Sequence, residues 1–184
     1  MRILAFIALF ISSITVASAQ GYVGVEYTDT ENRITGAQSH TPAVIVGVRD
    51  GNYQYSGKAS YTQAEHGNGA ITTAYEARVR RNFQVAGVKP YIQGRLGEQV
   101  ESAKNFTYYA VDTGIVVPVA SKVDLDFSYR YRNAFDSGID YQTNRYGVEG
   151  AYKLTPKDKV GLRYTRSYGD SETNAWRVAY THSF

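Results

Sequence analysis

The sequence predicts an all-β protein: a closed antiparallel transmembrane β-barrel of about ten strands. Three observations predict it. Apolar and polar residues alternate along almost the whole chain after residue 20, which is the period of a strand. The connections alternate between short turns and longer loops. Tyrosine is abundant, 17 of 184 residues, and it collects near the ends of the alternating segments.

The opening stretch, MRILAFIALFISSITVASAQ, stands apart. Arg2 is a minimal positive start, Ile3 to Ile11 an apolar run, and Ala17-Ser18-Ala19 a small-residue cleavage pattern. Residues 1–19 therefore read as a secretory signal peptide and residues 20–184 as one barrel domain. The apolar run is shorter than the roughly 20 residues a spanning helix needs. There is no cysteine, so no disulfide staples the exported chain. Without Arg2 the net charge falls from +3 to +2, and no nucleic-acid partner is expected. A mean hydropathy of −0.37 suits a soluble protein. A barrel with a polar interior and an apolar exterior averages to the same value.

Ten segments follow in order. In 21–28, Val23, Val25 and Tyr27 alternate with Tyr22, Gly24 and Glu26. Segment 43–49 carries Val44, Val46 and Val48, and Asp50-Gly51 then gives a hairpin turn. Segment 53–63 sets Tyr53, Tyr55, Ala59 and Tyr61 against Gln54, Ser56, Lys58 and Ser60. Segment 71–80 sets Ile71, Tyr75, Ala77 and Val79 against Glu76, Arg78 and Arg80. In 86–97, Val88, Pro90, Ile92 and Leu96 oppose Lys89, Tyr91, Gln93 and Arg95. Segment 106–117 has Tyr109, Val111, Ile115 and Val117 on one face and Asp112 on the other.

The seventh segment, VDLDFSYRYR at 123–132, is the clearest. Val123, Leu125, Phe127, Tyr129 and Tyr131 form one face, and Asp124, Asp126, Arg130 and Arg132 the other. Segment 142–153 sets Tyr146, Val148 and Tyr152 against Arg145, Glu149 and Lys153. Segment 159–168 sets Val160, Leu162 and Tyr164 against Lys159 and Arg163, and 174–184 ends the chain. A count of eight is the alternative, with the first and second segments miscounted. The short connections are 50–52, 81–85, 118–122 and 154–158. The longer ones are 29–41, 64–70, 98–105, 133–141 and 169–173.

A soluble sandwich could expose the charged faces. Its core would be built mainly from Leu, Ile and Phe, because a buried Tyr needs a partner for its hydroxyl. Here the apolar faces are rich in Tyr. Tyr27, Tyr61, Tyr131, Tyr146 and Tyr168 lie toward the loops, and Tyr53, Tyr55, Tyr152 and Tyr180 toward the turns. Two belts of amphipathic rings suit two membrane–water interfaces. In lipid every backbone polar group must be paired, so the sheet must close.

The last strand, WRVAYTHSF, places Trp176, Val178, Tyr180, His182 and Phe184 on alternate positions. It resembles the closing strand of Gram-negative outer-membrane β-barrel proteins, which end in an aromatic residue preceded by alternating apolar ones. VKPYIQGRLGEQV resembles the Pro-Tyr strand of small porin-like barrels. The resemblance covers the mature chain by architecture. It implies short periplasmic turns, longer outer loops and residence in the outer membrane. The partners implied are outer-membrane lipid, lipopolysaccharide and the barrel-assembly machinery. That machinery would read Phe184 and Tyr180, although His182 departs from the usual apolar residue.

The polar faces supply the candidate solute path. It comprises Lys58, Glu76, Arg78, Lys89, Arg95, Asp112, Asp124, Asp126, Arg130, Arg132, Arg145, Glu149, Lys153 and Arg163, with Glu26 and Arg177 beside them. Bases outnumber acids. The expectation is a narrow porin-like channel that prefers small anionic solutes. The alternative is a plugged, non-conducting barrel acting through its outer loops. His40 and His66 fall in expected outer loops near acids, so a mouth-located hydrolase is a third reading. No metal-spaced His/Cys cluster or phosphate-binding glycine loop is present. No cofactor and no enzymatic activity are expected.

Overall fold

In a computed structural model, residues 19–65, 71–101 and 105–184 are described. Residues 1–18 of the expected signal peptide, and His66, lie outside them. The chain forms ten strands: β1 (Gln20–Asn32), β2 (Gln38–Asp50), β3 (Tyr53–Ala64), β4 (Ile71–Asn82), β5 (Lys89–Glu101), β6 (Asn105–Ala120), β7 (Val123–Ala134), β8 (Thr143–Lys153), β9 (Asp158–Gly169) and β10 (Thr173–Ser183). Each pairs antiparallel with its neighbours in sequence, and β1 pairs with β10 to close the barrel. The first two segments are full strands, so the count is ten rather than eight.

The strands run further than their periodicity suggests. β1 and β2 continue pairing through Glu31 and Gln38, which leaves only 33–37 of the expected loop 29–41. Those residues are polar on both faces, so hydropathy gives no sign of the pairing. β5 begins at Lys89 rather than near 86. Ala86 and Gly87 both have positive φ, 46° and 83°, and Val85 bridges Val88 across them. Two successive positive φ values make the tight turn that matches strand twist in a hairpin. Gly51, with φ 53°, serves the same purpose between β2 and β3.

Register fixes the faces. Val25, Val44, Leu96, Val148 and Val178 point outward, and Leu96 is 60 % exposed. Glu26, Glu76, Arg95 and Asp112 point inward, each at 9 % exposure or less. The molecule is thus inverted relative to a soluble domain, with its charges inside and its aliphatic rows outside. Twenty-six large apolar or aromatic side chains are exposed among the described residues, many of them on these outward rows. They match a wall facing hydrocarbon.

Three inward tyrosines lie across glycines on the paired strand: Tyr22 on Gly47, Tyr91 on Gly114, and Tyr108 on Gly97. A side chain at any of the three glycines would collide with the ring. The hydroxyls are satisfied inside the lumen. Gln54 donates to Tyr22 Oη at 2.6 Å, and Tyr91 Oη donates to Asp126 at 3.0 Å. Tyr108 Oη donates to Glu76 at 3.2 Å. Each ring thus occupies the space its glycine leaves, with its hydroxyl held by a polar side chain of the lumen.

The loop between β7 and β8 turns inward. Tyr141 meets Phe106 edge-on at 4.7 Å and donates its hydroxyl to Gln99 at 2.5 Å. Ile139 and Tyr141 pack on Phe106, Tyr108 and Ala134. This small apolar cluster narrows the loop end of the lumen on one side.

Candidate functional site

Alternation places every residue of the candidate path on an inward row. The closed sheet then brings them together in layers. The middle layer is a belt of ion pairs. Glu26 holds Lys58 at 2.5 Å and Arg177 at 2.7 Å. Arg177 also pairs with Glu149, which takes Arg163 Nε at 3.2 Å. Arg163 reaches Asp126 at 3.5 Å. On the opposite wall Glu76 pairs with Arg78, and with Arg95 at 2.8 Å. Arg95 holds Asp112 at 2.5 Å, and Asp112 holds Arg130 at 2.7 Å. Lys58 and Glu76 are direct cross-strand neighbours, which brings the two arcs together on one side.

Every acid of the belt is engaged by at least one base. Ionised groups buried in this way need both charge partners and hydrogen bonds to offset lost hydration. Arginine suits this role because its planar fork serves two carboxylates at once.

Below the belt, toward the short turns, lie Asp124 with Lys153 at 3.2 Å, and two arginines stacked on rings. Arg49 lies 4.5 Å from the Tyr22 ring centre and Arg80 3.5 Å from that of Tyr91. Lys89 and Lys159 are on inward rows at this end, and Lys89 is exposed.

Above the belt is a vestibule with a cavity of about 220 Å³, floored by the belt itself, including Glu76, Arg95, Asp112 and Arg130. One wall carries the hydroxyls of Thr28, Thr30, Thr41, Ser60 and Thr62. The other carries Arg132, Arg145 and Tyr141. Arg132 Nε donates to Thr143 at 3.2 Å, and its guanidinium lies 3.9 Å from the Tyr141 ring centre. Arg145 Nε donates to Ser167 Oγ at 2.9 Å. Neither is paired with a carboxylate among the described residues. Arg145 is also the direct cross-strand neighbour of Arg130. The result is a basic wall opposite a neutral, hydroxylated one.

Arg49, Arg80, Lys159, Tyr108 and Tyr141 extend the candidate set. Arg80 and Lys159 sit in the alternation and could have been included from sequence. Tyr141 lies in a connection with no periodicity, so no local pattern points to the lumen.

His40 stands on an outward row. It stacks on Tyr27 at 5.9 Å, with Nε2 2.6 Å from Glu65 and Nδ1 3.6 Å from Asp29. It therefore faces away from the lumen, on the outer wall. Among the described residues no cluster could hold a metal ion. At the turn end, Asp158 accepts from Tyr180 Oη at 2.6 Å and lies 2.7 Å from His182 Nδ1. Phe184 is 68 % exposed.

No protein-family profile and no curated protein sequence matches the chain. Its shape has clear counterparts. An outer-membrane channel from Pseudomonas putida F1 aligns over 92 % of this chain and 97 % of that one, with TM-score 0.60 and 9 % identity. The β domain of the Bordetella autotransporter Brka aligns over 91 % and 100 %, with TM-score 0.55 and 10 % identity. The translocator domain of the autotransporter NalP from Neisseria meningitidis aligns over 100 % and 94 %, with TM-score 0.51 and 10 % identity. Closure of ten strands, apolar outside and charged inside, gives this chain the fold of the outer-membrane β-barrels.

Proposed function

We propose that the protein is a narrow, anion-preferring channel of a Gram-negative outer membrane, reached by signal-peptide export. The observation that carries this reading is the vestibule. Arg132 and Arg145 face it without a neutralising carboxylate, directly above the belt. A basic mouth with low-dielectric walls concentrates small anions at the constriction. Arg49, Arg80, Lys89 and Lys159 give the turn end the same sign. The belt is then the constriction, and passage of a solute requires its ion pairs to exchange partners. The Pseudomonas putida F1 barrel that shares this fold is an outer-membrane channel, which agrees with this reading.

A second reading has its own support. The belt's acids are all engaged and its members are buried or half-buried, which suits a non-conducting barrel whose outer loops do the work. Planar-bilayer recording in a salt gradient decides between them. Discrete conductance steps with a reversal potential of anionic sign are expected. Silent bilayers containing folded protein would leave the non-conducting reading standing.

A further inference from the structure

We propose that the outer wall of β8 and β9 binds a phosphorylated glycolipid of the outer leaflet, with Arg166 taking the phosphate. This rests on the membrane placement proposed above. The outward rows are mainly apolar or aromatic, and Arg166 breaks the pattern. It is exposed, with Tyr146 of β8 and Asn174 of β10 as its neighbours in register. No carboxylate pairs with it among the described residues, and its guanidinium lies 5.2 Å from the Tyr168 ring centre. The loop residue Arg33 approaches the same ring at 5.5 Å, but Glu172 holds it at 3.0 Å. Arg166 is thus the uncompensated cation of this face.

The neighbouring amides are oriented as donors. Tyr129 Oη donates to Asn144 Oδ1 at 2.6 Å, and Tyr164 Oη donates to Asn174 Oδ1 at 3.0 Å. Each hydroxyl occupies the amide oxygen and leaves the NH₂ group to donate elsewhere. Arg166 and Asn144 therefore present N–H groups to an open groove that they line with Tyr146 and Tyr168, and Asn174 adds a donor beside Arg166 on the next strand.

The chemistry selects a phosphate, whose oxygens match the guanidinium fork. The location selects a lipid. An unpaired arginine on a lipid-facing row is tolerated best at the interface, and Tyr146, Tyr168 and Trp176 place this one at an aromatic belt. Those rings offer flat faces to the sugars of a glycolipid headgroup. Tyr146 and Trp176 are 56 % and 55 % exposed.

The test folds the protein into phosphatidylcholine nanodiscs with and without bis-phosphorylated lipid A. Native mass spectrometry then counts retained lipid A. At least one retained molecule per barrel is expected, and Arg166→Gln should lower its affinity about tenfold. Arg166→Lys, which keeps the charge without the fork, should fall between. Arg81→Gln, on the outer wall at the turn end, should leave retention unchanged. Equal retention by Arg166→Gln, or retention of dephosphorylated lipid A, would overturn the proposal. So would displacement by millimolar inorganic phosphate, which would mark a free-anion site. A chain showing no heat-dependent gel shift in these bilayers would refute the membrane placement itself.

Discussion

Arg95 spans two carboxylates across three strands: its Nη1 donates to Glu76 on β4 at 2.8 Å and its Nε to Asp112 on β6 at 2.5 Å. The link fastens β4, β5 and β6 together through the lumen, independently of the backbone ladder. Arg95→Met removes it while filling similar volume. Glu76 keeps Arg78 and Asp112 keeps Arg130, so the loss lies near the lower end for a broken buried pair, about 3 kcal/mol. Urea unfolding from bilayers measures it. An unchanged midpoint would show that the belt does not stabilise the barrel.

The vestibule gives a separate prediction. Arg132→Gln with Arg145→Gln removes two bases that no carboxylate neutralises, so the fold should be retained. The reversal potential in a salt gradient should move toward the cationic direction. If selectivity is unchanged, the mouth charges do not set it.

Glycine positions test how the interior is filled. A Cβ at Gly114 would lie 2.5 Å from Tyr91 Oη and 2.6 Å from the Phe127 carbonyl oxygen. The backbone oxygen cannot swing aside, so Gly114→Ala should cost about 1–3 kcal/mol. Gly94 has nothing within 4 Å, and Gly94→Ala should change stability by less than about 0.5 kcal/mol. Parallel urea titrations compare the two. Equal midpoints would mean the tyrosine–glycine contacts are not close-packed.

Phe184 separates assembly from stability. Its backbone N–H donates to Gly21 at 3.0 Å, while its ring is largely exposed. Phe184→Ala keeps the backbone bond. It should lower recovery from the outer-membrane fraction in cells yet refold normally in detergent. Normal recovery in cells would remove Phe184 from any assembly signal.

The strand order and the facing of nearly every side chain were legible in the alternation, while the count stood between ten and eight until β1 and β2 were seen to pair along their full length. A two-residue period needs only the local chain to be read, and VDLDFSYRYR declares its two faces without help from its neighbours. Residues 29–32 and 38–41 were less legible. Their pairing follows from cross-strand hydrogen bonds, which polar residues on both faces do not advertise. Which charges meet is set by the closed sheet. Lys58 and Glu26 lie on strands that are not adjacent, as do Arg163 and Asp126. Barrel curvature and the stagger of the ladders bring such side chains within reach across the lumen. Tyr141 is placed by packing on Phe106 and Tyr108, contacts far from it in the chain. Periodicity assigns a charge to the inside; the width and stagger of the closed sheet choose its partner and leave Arg132 and Arg145 facing open space.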